Sequence, residues 1–261
     1  MIHVQNLAKM FKKFQAVADV SFRAEDGQVF GLLGPNGAGK TTTLRMLSTV
    51  IEPDQGTATV SGYDIRTQKD RVRAHLGILV ENAGLYKQLT ARECMRYVGQ
   101  LHGWRGTKLE TRIEQISTEL GMEAFIDRKT EGFSRGMTRK VVTGMALVHD
   151  PPNLIFDEPT AGLDVVSMRA VRSLIGQLRD EGRCIILSTH LMDEVMRLCD
   201  RVGIIHRGKI LVVGTPSELM AAQGVTDLEA AFVKIVGEKA LSDEALREAE
   251  TEKRGKSPNP V

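Results

Sequence analysis

Gly34-Pro-Asn-Gly-Ala-Gly-Lys-Thr41 satisfies the spacing G-x-x-x-x-G-K-[ST], and its chemistry lies in the last two side chains. The apolar run Val29-Phe-Gly-Leu-Leu33 stands directly before it, and a helix-compatible stretch from Thr41 to Thr49 directly after. In that setting Gly34, Gly37 and Gly39 permit a loop tight enough to turn backbone N–H groups toward one point, with Pro35, Asn36, Ala38 and Thr42 completing the cradle. A helix opening there adds its positive end. Lys40 can reach the β- and γ-phosphates of a nucleotide, and the Thr41 hydroxyl can ligate Mg²⁺. The expected ligands are therefore a nucleoside triphosphate and Mg²⁺.

Two further groups have matching chemistry. Leu154-Ile-Phe-Asp157-Glu158 is an apolar strand that ends in two carboxylates. Asp157 at the strand's carboxyl end can hold Mg²⁺ through its water shell, and Glu158 can orient or deprotonate a water. His190 ends a second apolar run, Cys184-Ile-Ile-Leu-Ser-Thr189, within reach of a γ-phosphate. Phe11 is a candidate to stack on a base, the alternative being an ordinary core aromatic. Lys40, Glu158 and His190 are thus the candidate catalytic groups.

These residues need a scaffold. Residues 2–33 alternate apolar and polar side chains and predict β structure, with a turn at Asp26-Gly27. Further strands are predicted at Thr57–Ser61, Leu76–Val80, Asn153–Phe156, Cys184–Leu187, Val202–Ile205 and Ile210–Val213. Helical spacing recurs in Met168, Val171, Leu174, Ile175 and Leu178, and between Leu191 and Cys199. Strands alternating with helices imply a mostly parallel sheet. Between about residues 82 and 137 the pattern changes. Thr90 and Glu93 form a capping box, Ile113, Ile116 and Leu120 share a helix face, and no strand is evident. We read this stretch as a helical insertion in an α/β core that spans residues 1–222. Residues 223–261 hold one more amphipathic helix (Leu228, Ala231, Phe232, Ile235) and then a solvated, disordered tail.

Composition narrows the function. The 261 residues carry 35 basic and 33 acidic side chains, a net charge of +2, without the basic excess of a dedicated nucleic-acid binder. Cys94, Cys184 and Cys199 lack metal spacing and read as packed, reduced thiols. No apolar run approaches the roughly 18 residues of a membrane span, and the first residues lack a signal-peptide pattern. The expectation is a soluble cytoplasmic chain.

The combination resembles the ATP-binding cassette (ABC) family over residues 2–222. Phe133-Ser-Arg-Gly136-Met137 stands where the family has its Leu-Ser-Gly-Gly-Gln signature, followed in family order by a helix, Asp150-Pro, the Asp157-Glu158 strand, Ala161-Gly-Leu-Asp164 and His190. The resemblance implies a P-loop fold with an N-terminal antiparallel β subdomain and an inserted α-helical subdomain. It implies ATP hydrolysis between two cassettes packed head to tail. Ser134 and Gly136 of one copy then meet the γ-phosphate held by the other, and Asp164 communicates between the sites. Glu81 falls where the family has a connecting-loop glutamine, implying a contact to Mg²⁺-bound water. Arg135 and Met137 replace a glycine and the terminal glutamine of the signature, and Met145 an arginine. The segment Val80–Glu93 is where family transporters grip a membrane partner, and Leu85, Tyr86 and Leu89 either make that contact or pack internally. The finer likeness is to sodium-efflux (Nat-type) and drug-export cassettes. The implied partners are a membrane permease, which would hold the chain peripherally at the inner face of the membrane, and a second identical or related cassette. Two other functions remain compatible with these residues: a soluble cassette ATPase, and an ATP-dependent switch that hydrolyses weakly.

Overall fold

A computed structural model describes residues 1–80 and 84–237. Glu81 and everything expected beyond Gly237 lie outside the described residues. The chain opens with β1 (Ile2–Phe11) and β2 (Phe14–Ala24), then β3 (Val29–Leu33), which runs through the glycine loop into α1 (Lys40–Leu47). β4 (Gln55–Val60) and β5 (Tyr63–Asp64) follow, and α2 (Lys69–Ala74) leads into β6 (Leu76–Leu79). Three helices come next: α3 (Ala91–Leu101), α4 (Gly106–Glu119) and α5 (Arg135–Leu147). The alternation then resumes with β7 (Asn153–Asp157), α6 (Val165–Asp180), β8 (Cys184–Thr189) and α7 (Met192–Leu198). It ends with β9 (Arg201–His206), β10 (Lys209–Gly214) and α8 (Pro216–Ala222), and residues 228–237 are again helical.

Among the described residues one sheet collects all the strands, in the order β5-β4-β1-β2-β10-β9-β3-β8-β7-β6. β9, β3, β8, β7 and β6 are mutually parallel. β2, β1, β4 and β5 are antiparallel, as is the β9–β10 hairpin. A short parallel pairing, Lys209 with Asp19, joins the halves. The sheet is therefore more mixed than the helix–strand alternation alone predicts. For β9 and β10 the reason is local: Arg207 (φ 46°) and Gly208 (φ 73°) form a two-residue turn of the kind that folds a strand straight back; the other antiparallel pairings are those of the N-terminal β subdomain.

The parallel strands are buried on both faces, which explains their unbroken apolar runs. Val29 and Leu33 of β3 face one core with Leu154, Phe156, Ile185 and Leu187. Phe30 and Leu32 face the other with Ile155 and Ile186. The first core also takes in α3–α5 through Met95, Ile113, Ile116 and Val141, and the last helical stretch through Leu228 and Ala231. The second takes in α1 and the antiparallel strands through Leu44, Leu47, Val4 and Val20. The three cysteines are free and buried, and burial pushes the Cys184 thiol up to about 11.

Caps fix where the helices begin. Thr90 Oγ1 accepts from the Glu93 N–H at 3.1 Å while the Glu93 carboxylate accepts from the Thr90 N–H at 2.7 Å, the box predicted from sequence. Ser134 caps α5 by accepting from the Met137 N–H at 3.2 Å, and Asp164 caps α6 by accepting from Val166 and Ser167. No helix among the described residues is long and apolar enough to cross a membrane.

Candidate active site

The glycine loop is held by close backbone approach. A Cβ on Gly34 would fall 2.3 Å from the Ile205 carbonyl, and one on Gly39, at φ 107°, would fall 2.6 Å from the Ala16 carbonyl. The Gly208 N–H donates to the Ala38 carbonyl at 2.8 Å, so the β9–β10 turn braces the loop from behind. No side chain caps α1 and its first turn carries no acid, which leaves its leading N–H groups open to an anion. The Lys40 ammonium lies under the loop, donating to the Gly34 carbonyl at 2.6 Å and to the Pro35 carbonyl at 3.4 Å.

Parallel registry brings the carboxylates to this loop. β7 and β8 align Asp157 with Ser188, whose hydroxyl donates to Asp157 Oδ1. The Thr41 hydroxyl donates to Asp157 Oδ2 at 3.2 Å. Two hard oxygen ligands thus meet beside the phosphate loop, a donor set that suits Mg²⁺, which takes few protein ligands and completes its shell with phosphate and water. Glu158 comes next, buried and at φ 48°. Its Oε1 lies 2.9 Å from His190 Nδ1 and 3.8 Å from Lys40 Nζ. The three candidate catalytic groups therefore form one chain of contacts, with half-exposed His190 at its outer end.

A cavity of about 240 Å³ lies over these groups, lined by Pro35, Asn36, Gly37, Gly39, Lys40, Thr41, Thr42, Asp157, Glu158 and His190. Its aromatic wall is Phe14, beside Ala16, and Phe11 is not part of the lining. The hairpin explains the exchange. Phe11 and Phe14 are direct cross-strand partners around the Lys12-Lys13 turn, and Phe11 instead lies 5.7 Å from the Lys9 ammonium. Gly34 and Ala38 form the loop's buried underside.

Ser134, Gly136 and Asp164 do not line that cavity. Ser134 and Gly136 open α5, and a Cβ on Gly136 would lie 3.2 Å from the Ser167 hydroxyl, so the signature packs against the start of α6. Hydrogen bonds from the Ser167 N–H and hydroxyl hold the Asp164 carboxyl below its ordinary range. Leu85 and Leu89 pack against the core, whereas Tyr86 is exposed and meets Tyr97 edge-on at 6.0 Å. Met145 packs against the first core.

Several supporting groups escape a reading of the sequence. Ser188 needs the β7–β8 register. Glu194 is fully buried and accepts from the hydroxyls of Thr160 and, at 3.0 Å, Thr189, tying α7 to both strand-end loops. Arg139 is a buried cation on α5. Its signal was available: it precedes Val142 and Thr143 by one turn, on the helix's buried face.

The family model described as ABC transporter matches residues 17–161. The ABC transporter ATP-binding protein NatA of Bacillus subtilis (strain 168) is 43% identical over 223 residues, which is 85% of this chain and 91% of that protein. The linearmycin resistance ATP-binding protein LnrL of the same organism is 37% identical, covering 86% of this chain and 72% of its own length. The daunorubicin/doxorubicin resistance ATP-binding protein DrrA of Streptomyces peucetius is 34% identical, covering 85% and 68%. Among solved structures, an ATP-binding subunit of an ABC transporter superposes with a TM-score of 0.84 at 28% identity, over 90% of this chain and 99% of that one. The family match, the identity to NatA and a fold shared with the solved ATP-binding subunit make the chain a member of the ABC transporter family: an ATP-binding subunit that hydrolyses ATP.

Proposed function

We propose that this chain powers an exporter through a separate membrane permease, with sodium or a drug-like solute as cargo. The observation that carries the reading is the 43% identity to NatA over nearly the whole of both proteins, with LnrL and DrrA, named for drug resistance, close behind. The ATP-binding domain is taken as residues 1–222 with the helical insertion at 82–137. The exposed Tyr86, Tyr97 and Leu101 of the insertion are where the permease docks.

In this mechanism Lys40 and the N–H groups of residues 36–42 bind the phosphates, and Phe14 and Ala16 border the base. Thr41 and Asp157 would hold Mg²⁺, and Glu81, outside the described residues, is the further candidate that the family resemblance supplies. When bound there, the ion would supply positive charge to offset the charge developing on the phosphates. Glu158 takes a proton from the attacking water as oxygen bonds to the γ-phosphorus and ADP leaves. His190 orients Glu158 and reaches the γ-phosphate. Ser134 and Gly136 come from a second cassette, since the cavity at about 240 Å³ is small for a nucleotide site and lacks them. Loss of the γ-phosphate removes those contacts and reopens the pair.

A mild-detergent pull-down of the tagged chain from its own membranes tests this. The expected result is a polytopic membrane protein in comparable amount, which then shows ATP-driven flux of radioactive sodium or of a drug in vesicles. Recovery with ribosomes, or with nothing, would transfer the reading to a soluble cassette ATPase. Drug flux without sodium flux would remove sodium alone.

A further inference from the structure

We propose that Arg139 is a positioning residue for hydrolysis, clamping the backbone that aims Glu158 and tying it to the helix that begins at the signature. The proposal rests on Glu158 being the group that handles the attacking water.

Arg139 Nη2 donates to the Glu158 carbonyl at 3.1 Å, and Nη1 donates to the Val80 carbonyl at 3.3 Å. Two acceptors on different strand ends, from β7 and β6, are thus spanned by one planar guanidinium. The planar fork places its donors on separate nitrogens, so one side chain reaches both loops, whereas all of a lysine's donors diverge from a single nitrogen. The residue is 8% exposed, so both bonds are screened little by water.

The clamp acts on a conformation that needs holding. Glu158 sits at φ 48°, in the left-handed region that a non-glycine residue occupies at a cost. Its N–H donates to the Ser188 carbonyl at 3.0 Å, fixing one side of the residue. Its carbonyl accepts from the Ala161 N–H at 3.2 Å and from Arg139, fixing the other. With the backbone pinned on both sides, the carboxylate is directed at His190 and Lys40.

The clamp also crosses a gap. A cavity of about 500 Å³ separates α5 from the strand-end loops and is lined by Val80, Arg135, Arg139, Val142, Ala161 and Gly162. Packing of α5 on the strands lies further along the helix, at Ala146 and Leu147, and at the cavity the side chain that bonds across to both loops is Arg139. A movement of the signature helix therefore reorients Glu158.

Single-turnover hydrolysis of γ-labelled ATP by the full chain tests this, with Arg139→Met, Arg139→Lys and Glu158→Gln, and with ADP-binding stoichiometry by calorimetry as the measure of folded sites. Arg139→Met should slow turnover by roughly 10- to 100-fold, as expected for lost hydrogen bonds from a charged group, while ADP still binds one per chain. Arg139→Lys should recover part of the rate. In a Glu158→Gln background Arg139→Met should add little, because both changes remove the same aimed carboxylate. Wild-type turnover in Arg139→Met would overturn the proposal. So would equal slowing in both backgrounds, or slowing matched by lost ADP sites, since either marks a general structural role. If Glu158→Gln itself turned over like wild type, the Glu158 reading would fall, and the positioning role with it, whatever Arg139→Met did.

Discussion

His149 is a residue whose burial has a measurable consequence away from ATP. Its ring stacks on His102 with centroids 3.7 Å apart and planes 10° from parallel, and Nε2 lies 3.3 Å from the Leu76 carbonyl. Burial first, and then the charge of His102, hold its pKa down to about 4 against an ordinary 6.5; Asp150 and Arg183 also face it, with opposite effects. The folded chain thus refuses a proton that the unfolded chain accepts. Stability from this group is complete above about pH 6.5 and is lost as pH falls toward 4, roughly 2 kcal/mol of it by pH 5. Urea unfolding at pH 7 and pH 5 should show that loss in wild type and a smaller one in His149→Phe, which keeps the stack without titrating. Equal pH dependence in the two would refute the assignment. Nothing in the sequence announces this pair, since residues 102 and 149 meet only once α3 and α5 are packed. The phosphate loop was legible for the opposite reason: its whole chemistry is local, eight consecutive residues after a strand. Phe11 and Phe14 stand three residues apart with the same side chain, and only the hairpin's geometry separates the one at the cavity from the one beside it.

Elements were legible wherever periodicity or a cap marks them. Val29–Leu33 reads as a strand because both of its faces meet cores, and Thr90 with Glu93 marks the start of α3. The pairing of elements was less so, because β6 lies beside β7 although 73 residues separate Leu79 from Asn153. That pairing depends on a glycine. A Cβ on Gly77 of β6 would lie 2.3 Å from the Ala146 carbonyl of α5 and 2.8 Å from side-chain atoms of Leu154 and Pro151. Backbone cannot retreat cheaply in a packed core, so Gly77→Ala should destabilise by about 1–3 kcal/mol. Gly176, inside α6, has no neighbour within 4 Å of its would-be Cβ and an ordinary φ. Gly176→Ala should therefore stabilise by about 0.5–1 kcal/mol through helix propensity and a less mobile unfolded chain. Denaturant midpoints give both signs. A stable Gly77→Ala would mean that α5 is not seated on β6 as described.

At the scale of the whole molecule, the signature residues and the phosphate-loop cavity do not meet within one chain. Lys40, Asp157 and Glu158 share a cavity that Ser134 and Gly136 do not reach. Beside the Asp164 cap, Val165 and Val166 are 65% and 78% exposed, apolar surface that a second cassette would cover. The dimer we propose would hold ATP between these faces, and its lifetime would be set by Glu158. Glu158→Gln keeps Thr41 and Asp157, the Mg²⁺ ligands we propose, in place and removes a negative charge that would oppose the phosphates. With MgATP it should therefore remain closed, and light scattering should report twice the monomer mass. Wild type should return to monomer as ATP is consumed, and Lys40→Ala in the Glu158→Gln background should stay monomeric because the phosphates lose their ammonium. If Glu158→Gln bound ATP at one per chain yet scattered only as monomer, the signature would have to serve its own chain. α5 would then have to move across the 500 Å³ cavity, a rearrangement that the Arg139 bonds to Glu158 and Val80 oppose.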